Sequence, residues 1–119
     1  MPVYDDQNVF ARILRGEIPN KTVLETEHTL AFHDIRGQAP VHVLVIPKGK
    51  YVTFDDFAAK EGAEESAGFH RASAKVCEMT GVIEAGYRTI SNANAHGGQE
   101  VPHYHLHILG GRPLGRMLP

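Results

Sequence analysis

His103-Tyr104-His105-Leu106-His107-Ile108-Leu109 alternates imidazole and apolar side chains without a break. Side chains of an extended strand point to opposite faces with period two. A strand over His103–Leu109 therefore sets His103, His105 and His107 on one face and Tyr104, Leu106 and Ile108 on the other. Successive imidazoles on that face stand roughly 6.6 Å apart at their Cα atoms. The apolar set anchors the strand in a core. Packing gains nothing from three polar rings on the other face, so the rings point to chemistry.

Two chemistries suit such a face. Alternating histidines on a strand can give two or three nitrogens to zinc, with a further ligand from water, Asp34, Glu100 or another histidine. Alternatively, one neutral imidazole attacks phosphorus while its neighbours stabilise charge on the phosphoryl oxygens. The upstream Gly97-Gly98-Gln99 bears on the choice, because Gly-rich bends can bring backbone N–H groups close to an anion. Cys77 is the only cysteine, which excludes an intrachain disulfide and a cysteine-rich zinc site.

Working outward, Tyr87–Ser91 reads as a strand and Asn92–Val101 as a polar, Gly-containing loop. From Thr53 to about Thr80 the pattern is helical, with Phe69, Ala72, Val76 and Met79 as its core face, weakened locally by Gly62 and Gly68. Val41–Ile46 is almost wholly apolar and stopped by Pro47-Lys48-Gly49, as for a strand buried on both faces. Thr22–Thr26 and Thr29–Asp34 read as two strands joined at Glu27-His28. A short helix precedes them, with Phe10, Ile13 and Leu14 on one face and Gly16 ending the turn. The order of elements predicts an α+β fold: a sheet with a short N-terminal helix, one long helix, and helices on one side.

The 119 residues suffice for a single domain, residues 1–119. With 12 Lys and Arg against 14 Asp and Glu, no basic field attracts a nucleic acid polymer. The start, Met1-Pro2-Val3-Tyr4-Asp5-Asp6, carries acids where a secretory signal would carry basic and apolar residues, and no apolar run approaches membrane-spanning length. A cytoplasmic location with no membrane partner is the expectation.

The alternation resembles the histidine-triad pattern, His-φ-His-φ-His-φ-φ with φ apolar. Ala31-Phe32-His33-Asp34-Ile35, Gln38–Lys48, Gly86-Tyr87-Arg88, Gly97-Gly98-Gln99 and Gly110–Gly115 reinforce it. Together they resemble the nucleoside-phosphoramidase branch of the histidine-triad family over nearly the whole chain. The resemblance implies a five-stranded antiparallel sheet, paired into a ten-stranded sheet in a homodimer. It implies hydrolysis of purine nucleoside 5′-phosphoramidates through a covalent nucleotidyl-histidine, with no cofactor. His105 would be the nucleophile, His107 would contact the phosphoryl oxygens and assist proton transfer, His42 would complete the catalytic set and His103 would support it. Asp34 would bind the ribose hydroxyls, and Asn92, Gly98 and Gln99 would meet the phosphate region. Phe10, Ile18, Phe32 and Ile35 would form the purine slot. Other readings within reach are a dinucleoside-polyphosphate hydrolase or nucleotidylyl transferase of the same fold, and a non-catalytic nucleotide- or zinc-binding module. Glu100 departs from the serine that branch members often carry there, and Pro102 from an aromatic residue.

Overall fold

The computed structural model describes residues 3–119, so Met1 and Pro2 of the acidic start lie outside the described residues. Helix α1 (Val9–Leu14) starts where the Asn8 side chain accepts from the Ala11 N–H at 2.9 Å, satisfying one of the free amides of the first turn. The expected hairpin is β1 (Thr22–Glu25) with β2 (Thr29–His33), followed by β3 (Val41–Pro47). After the helical stretch come β4 (Tyr87–Ile90) and β5 (Leu106–Gly110). All five strands form one antiparallel sheet in the order β1-β2-β3-β5-β4.

The stretch expected to be helical throughout is two helices, α2 (Phe54–Lys60) and the long α3 (Ala63–Met79). Thr53 caps α2 from its side chain, and the chain breaks at Glu61, whose backbone is extended (ψ 155°). Gly62, a weak helix former, is the N-cap of α3, and Glu64 and Glu65 in the first turn suit the helix dipole. Gly68 lies inside α3 without interrupting it. Phe69, Ala72 and Val76 are buried as expected, joined by Cys77. Met79 is half exposed: it is the last residue of the helix and no further turn covers it.

Both faces of β2 and β3 are apolar, and each face has its own cover. On one side Ala31, Val43, Val45 and Ile108 pack with Phe57, Phe69 and Tyr104. On the other, Leu30, Phe32, Leu44 and Ile46 pack with Phe10 and Ile13 of α1. The helices are therefore not all on one side, because α1 lies across the sheet from α3. A strand as apolar as β3 would otherwise leave one face in water.

The final strand is shorter than its alternation suggests. Ladder pairing with β3 begins at Leu106, opposite Val45, and does not extend back to His103. Pro47 has no N–H to continue the ladder, and the Tyr104 N–H donates instead to the Tyr51 carbonyl at 2.7 Å. The backbone stays extended enough for the alternation to hold. Tyr104 stacks on Phe57 with ring centroids 5.1 Å apart on the α3 side, while the His105 ring meets Phe10 edge-on at 4.9 Å on the α1 side.

Candidate active site

The α1 face of the sheet is open where the histidines stand. A cavity of about 640 Å³ lies between α1, the end of β2 and the α4–β5 connection, where α4 (Asn94–Gly97) is a single turn inside the stretch read as loop. His105 and His107 form part of its wall, and Asn92, Gly98 and Glu100 also line it. Phe10, Ile13, Ile18, Phe32, Ile35 and Leu44 give it an apolar lining. Phe10 and Phe32 are buried and meet edge-on at 5.6 Å, so the slot has rigid walls, whereas Ile35 is an exposed rim residue.

Four imidazoles form two hydrogen-bonded pairs, His42 with His107 and His103 with His105, each anchored by backbone groups. The Gln38 N–H donates to His42 Nδ1 at 3.0 Å, so neutral His42 carries its proton on Nε2. That Nε2–H donates to His107 Nδ1 at 2.9 Å, which leaves His107 protonated on Nε2. His105 Nδ1 lies 2.7 Å from the His103 carbonyl and donates to it, so His105 Nε2 keeps its lone pair. His103 Nε2–H donates to the Pro47 carbonyl at 2.8 Å, and its Nδ1 accepts from the Tyr4 hydroxyl at 2.6 Å. His105 thus offers a lone pair and His107 an N–H at the wall of one cavity.

Burial keeps both pairs neutral. Desolvation lowers the pKa of His105 and of His42, and pushes His103 and His107 down to about 4. The His103 carbonyl and the charges of Asp34 and Glu100 oppose the shift at His105 without overcoming it. A neutral imidazole is the form that attacks.

The predicted residues fall into three groups. His105, His107, Asp34, Asn92, Gly98, Phe10, Ile18, Phe32 and Ile35 line the cavity. His42 is buried behind His107, and His103 is fully buried, so neither is among the residues that line the cavity. Gln99 shapes the loop: its side-chain amide donates to the Val52 and Val101 carbonyls and its oxygen accepts from the Asn94 N–H. The Gly-rich bend also differs from the expectation of free amides. Gly98, with φ +72°, closes α4, and the Gly98 and Gln99 N–H groups donate to the Ala95 and Asn94 carbonyls. Asp34 accepts from the Arg36 N–H and places its other oxygen 3.5 Å from His42 Nε2.

Sequence reasoning missed Tyr4 and the three backbone anchors at Gln38, Pro47 and His103. An aromatic residue in an otherwise acidic start was a signal for Tyr4, whereas a carbonyl or amide carries no mark of residue type. Asp34, His42 and His107 also bring one ligand atom each within 4.8 Å of one another, a spacing that suits a divalent cation.

Residues 15–114 match the family described as HIT domain. A 13.2 kDa HIT-like protein of Azospirillum brasilense is 59% identical over 115 residues, 97% of this chain and 94% of the relative. The purine nucleoside phosphoramidase of Escherichia coli K12 is 46% identical over 114 residues, 95% of this chain and 94% of that protein. Among solved structures, the HIT family hydrolase of Legionella pneumophila Philadelphia 1 superposes with a TM-score of 0.81 at 43% identity, covering 90% of this chain and 95% of that one.

Proposed function

This chain belongs to the HIT domain family, and on that premise we propose that it hydrolyses the P–N bond of purine nucleoside 5′-phosphoramidates through a nucleotidyl-histidine on His105. One observation carries the reading: His105 Nε2 keeps its lone pair at the wall of a cavity lined by both apolar and polar side chains, because Nδ1 is committed to the His103 carbonyl. The relative named a purine nucleoside phosphoramidase supports the substrate class.

In this reading the purine enters the slot of Phe10, Ile18, Phe32 and Ile35, and Asp34 takes the ribose hydroxyls. Asn92 and the Gly98 wall border the phosphate. His105 Nε2 attacks phosphorus in line with the departing nitrogen. The P–N bond breaks, its electron pair stays on nitrogen, and the nitrogen takes a proton from solvent and leaves as the amine. His107, held by His42, donates its Nε2–H to a phosphoryl oxygen and stabilises the charge that develops there. Water then attacks the nucleotidyl-histidine. The P–Nε2 bond breaks with its pair returning to His105, the nucleoside monophosphate departs, and the proton released by water goes to solvent. His103 and Gln99 position other groups and touch no substrate.

A homodimer joined through β4 accompanies this proposal. β4 is an edge of the sheet, and its first residue Tyr87 and the preceding Ile83 are large and exposed. Among the described residues, no helix is long and apolar enough to cross a membrane.

The reading is tested by mixing the protein with an adenosine 5′-phosphoramidate, quenching within the first turnover and digesting. The peptide bearing His105 gains the mass of one adenylyl group, and faster turnover of this substrate than of diadenosine polyphosphates favours the phosphoramidase over the dinucleotide hydrolase. A second reading follows from the Asp34, His42 and His107 cluster: a metal-holding module with little turnover. Stoichiometric metal in the purified protein, with ligand binding lost on chelation, would favour it.

A further inference from the structure

The two acids lining the cavity are in different states. Asp34 is held by the Arg36 N–H at 2.8 Å and faces His42 at 3.5 Å. Glu100 lines the same cavity, near enough for its charge to act on His105, is exposed, and makes no hydrogen bond or ion pair among the described residues. Local folding does not require its charge. The backbone around it is fixed by the Gln99 amide and by the His103 N–H to the Val101 carbonyl, not by its carboxylate. Toward a bound phosphoryl group the charge is adverse, because like charges a few ångströms apart repel.

Only one part of a phosphoramidate can turn that charge to advantage. The nucleoside lies in the apolar slot and the phosphoryl oxygens face the imidazoles, so the leaving amine is the group free to extend toward the α4–β5 connection. We propose that Glu100 is a specificity-determining residue that selects phosphoramidates whose leaving amine carries a second, cationic centre a few atoms from the scissile nitrogen. This inference rests on the phosphoramidase reading given above. The second centre does not react. It pairs with the carboxylate and cancels the repulsion that Glu100 otherwise exerts on the phosphoryl oxygens. The bonds made and broken are those of the reaction already described.

The test uses three adenosine 5′-phosphoramidates of similar length, made from ethylenediamine, ethanolamine and β-alanine, which present an ammonium, a hydroxyl and a carboxylate. Relative kcat/KM values are measured for the wild type and for Glu100→Gln. Intrinsic differences in leaving ability cancel when the two proteins are compared, as does any effect of Glu100 on His105 itself. The wild type is expected to favour the ammonium over the hydroxyl by about fivefold more than Glu100→Gln does, the upper end for a solvent-exposed ion pair. The carboxylate substrate gains in the variant, and the contrast shrinks at high salt, as screening requires. An order of the three substrates that is the same in wild type and variant would overturn the assignment while leaving the phosphoramidase reading intact. Absence of turnover on all three in the wild type would overturn that reading and this inference with it.

Discussion

The two faces of the sheet share strands but not a chemistry. Under α3, Phe57, Phe69 and Tyr104 form a dry aromatic cluster, with Phe57 and Phe69 ring centroids 5.0 Å apart and Phe69 and Tyr104 5.4 Å apart. Under α1, the same strand segment presents His103, His105 and His107, and the packing stops short, leaving the cavity. Tyr104 and His105 are adjacent in sequence and lie on opposite sides of that divide. The contrast separates two tasks along one chain: the α3 face holds the backbone still, and the α1 face uses the fixed carbonyls and amides to set proton positions.

The largest effect that can break this division is at His105. Replacing it by alanine is expected to lower turnover by at least about 10³-fold, as loss of a covalent nucleophile does. The denaturation midpoint should move far less than for a change on the other face, and steady-state kinetics beside a urea melt check both parts. Phe69→Ala is the converse. It empties a site only 1% exposed and should cost about 3–5 kcal/mol of stability, with kcat per folded molecule close to wild type. Equal losses of stability in the two variants would erase the distinction between the faces.

A smaller effect comes from pH. His103 sits at about 4 in the folded chain, whereas a free histidine titrates near ~6.5. Between those values the unfolded chain binds more protons, so stability rises with pH and is lost as pH falls. Taking pH 6.5 to 5, above the carboxylate range, the loss attributable to His103 is about 2 kcal/mol. His107, also pushed down to about 4, adds a loss of the same sign, so urea midpoints across that interval measure the sum, and a flat profile would contradict buried neutral imidazoles. The smallest effect is at Tyr4. Tyr4→Phe keeps the edge contact with the His103 ring, at 5.6 Å, and removes only the hydroxyl that donates to Nδ1. Loss of about 1 kcal/mol of hydrogen bonding should lower kcat about fivefold through the orientation of His103, with KM within about twofold. A rise in KM at constant kcat would place Tyr4 in substrate binding instead.

Much of this was legible in the residues themselves. The period-two pattern around His105 separated the two faces correctly even where the ladder did not form, because Tyr104 and His105 differ so sharply in what they can bury. The apolar run of β3 announced two covered faces, although not that α1 supplied the second cover. Pairing of β5 failed to reach His103 because Pro47, on a different strand, offers no N–H, and such a partner is invisible from the triad alone. The cavity residues on β2 and α1 were reached through family resemblance, since nothing in Phe10 or Ile18 taken singly distinguishes a slot from a core. The α4 turn and its engaged Gly98 and Gln99 amides were missed because a glycine pair reads equally as an open bend and as the end of a short helix.

Attack by His105 depends most on where the imidazole protons sit. Long-range ¹H–¹⁵N correlation spectra of the ¹⁵N-labelled protein at pH 7 report this directly for each ring. The expected result is a neutral His105 protonated on Nδ1 with Nε2 bare, together with His42, His103 and His107 protonated on Nε2. A His105 found as imidazolium, or carrying its proton on Nε2, would contradict the account, because no lone pair would then face the cavity.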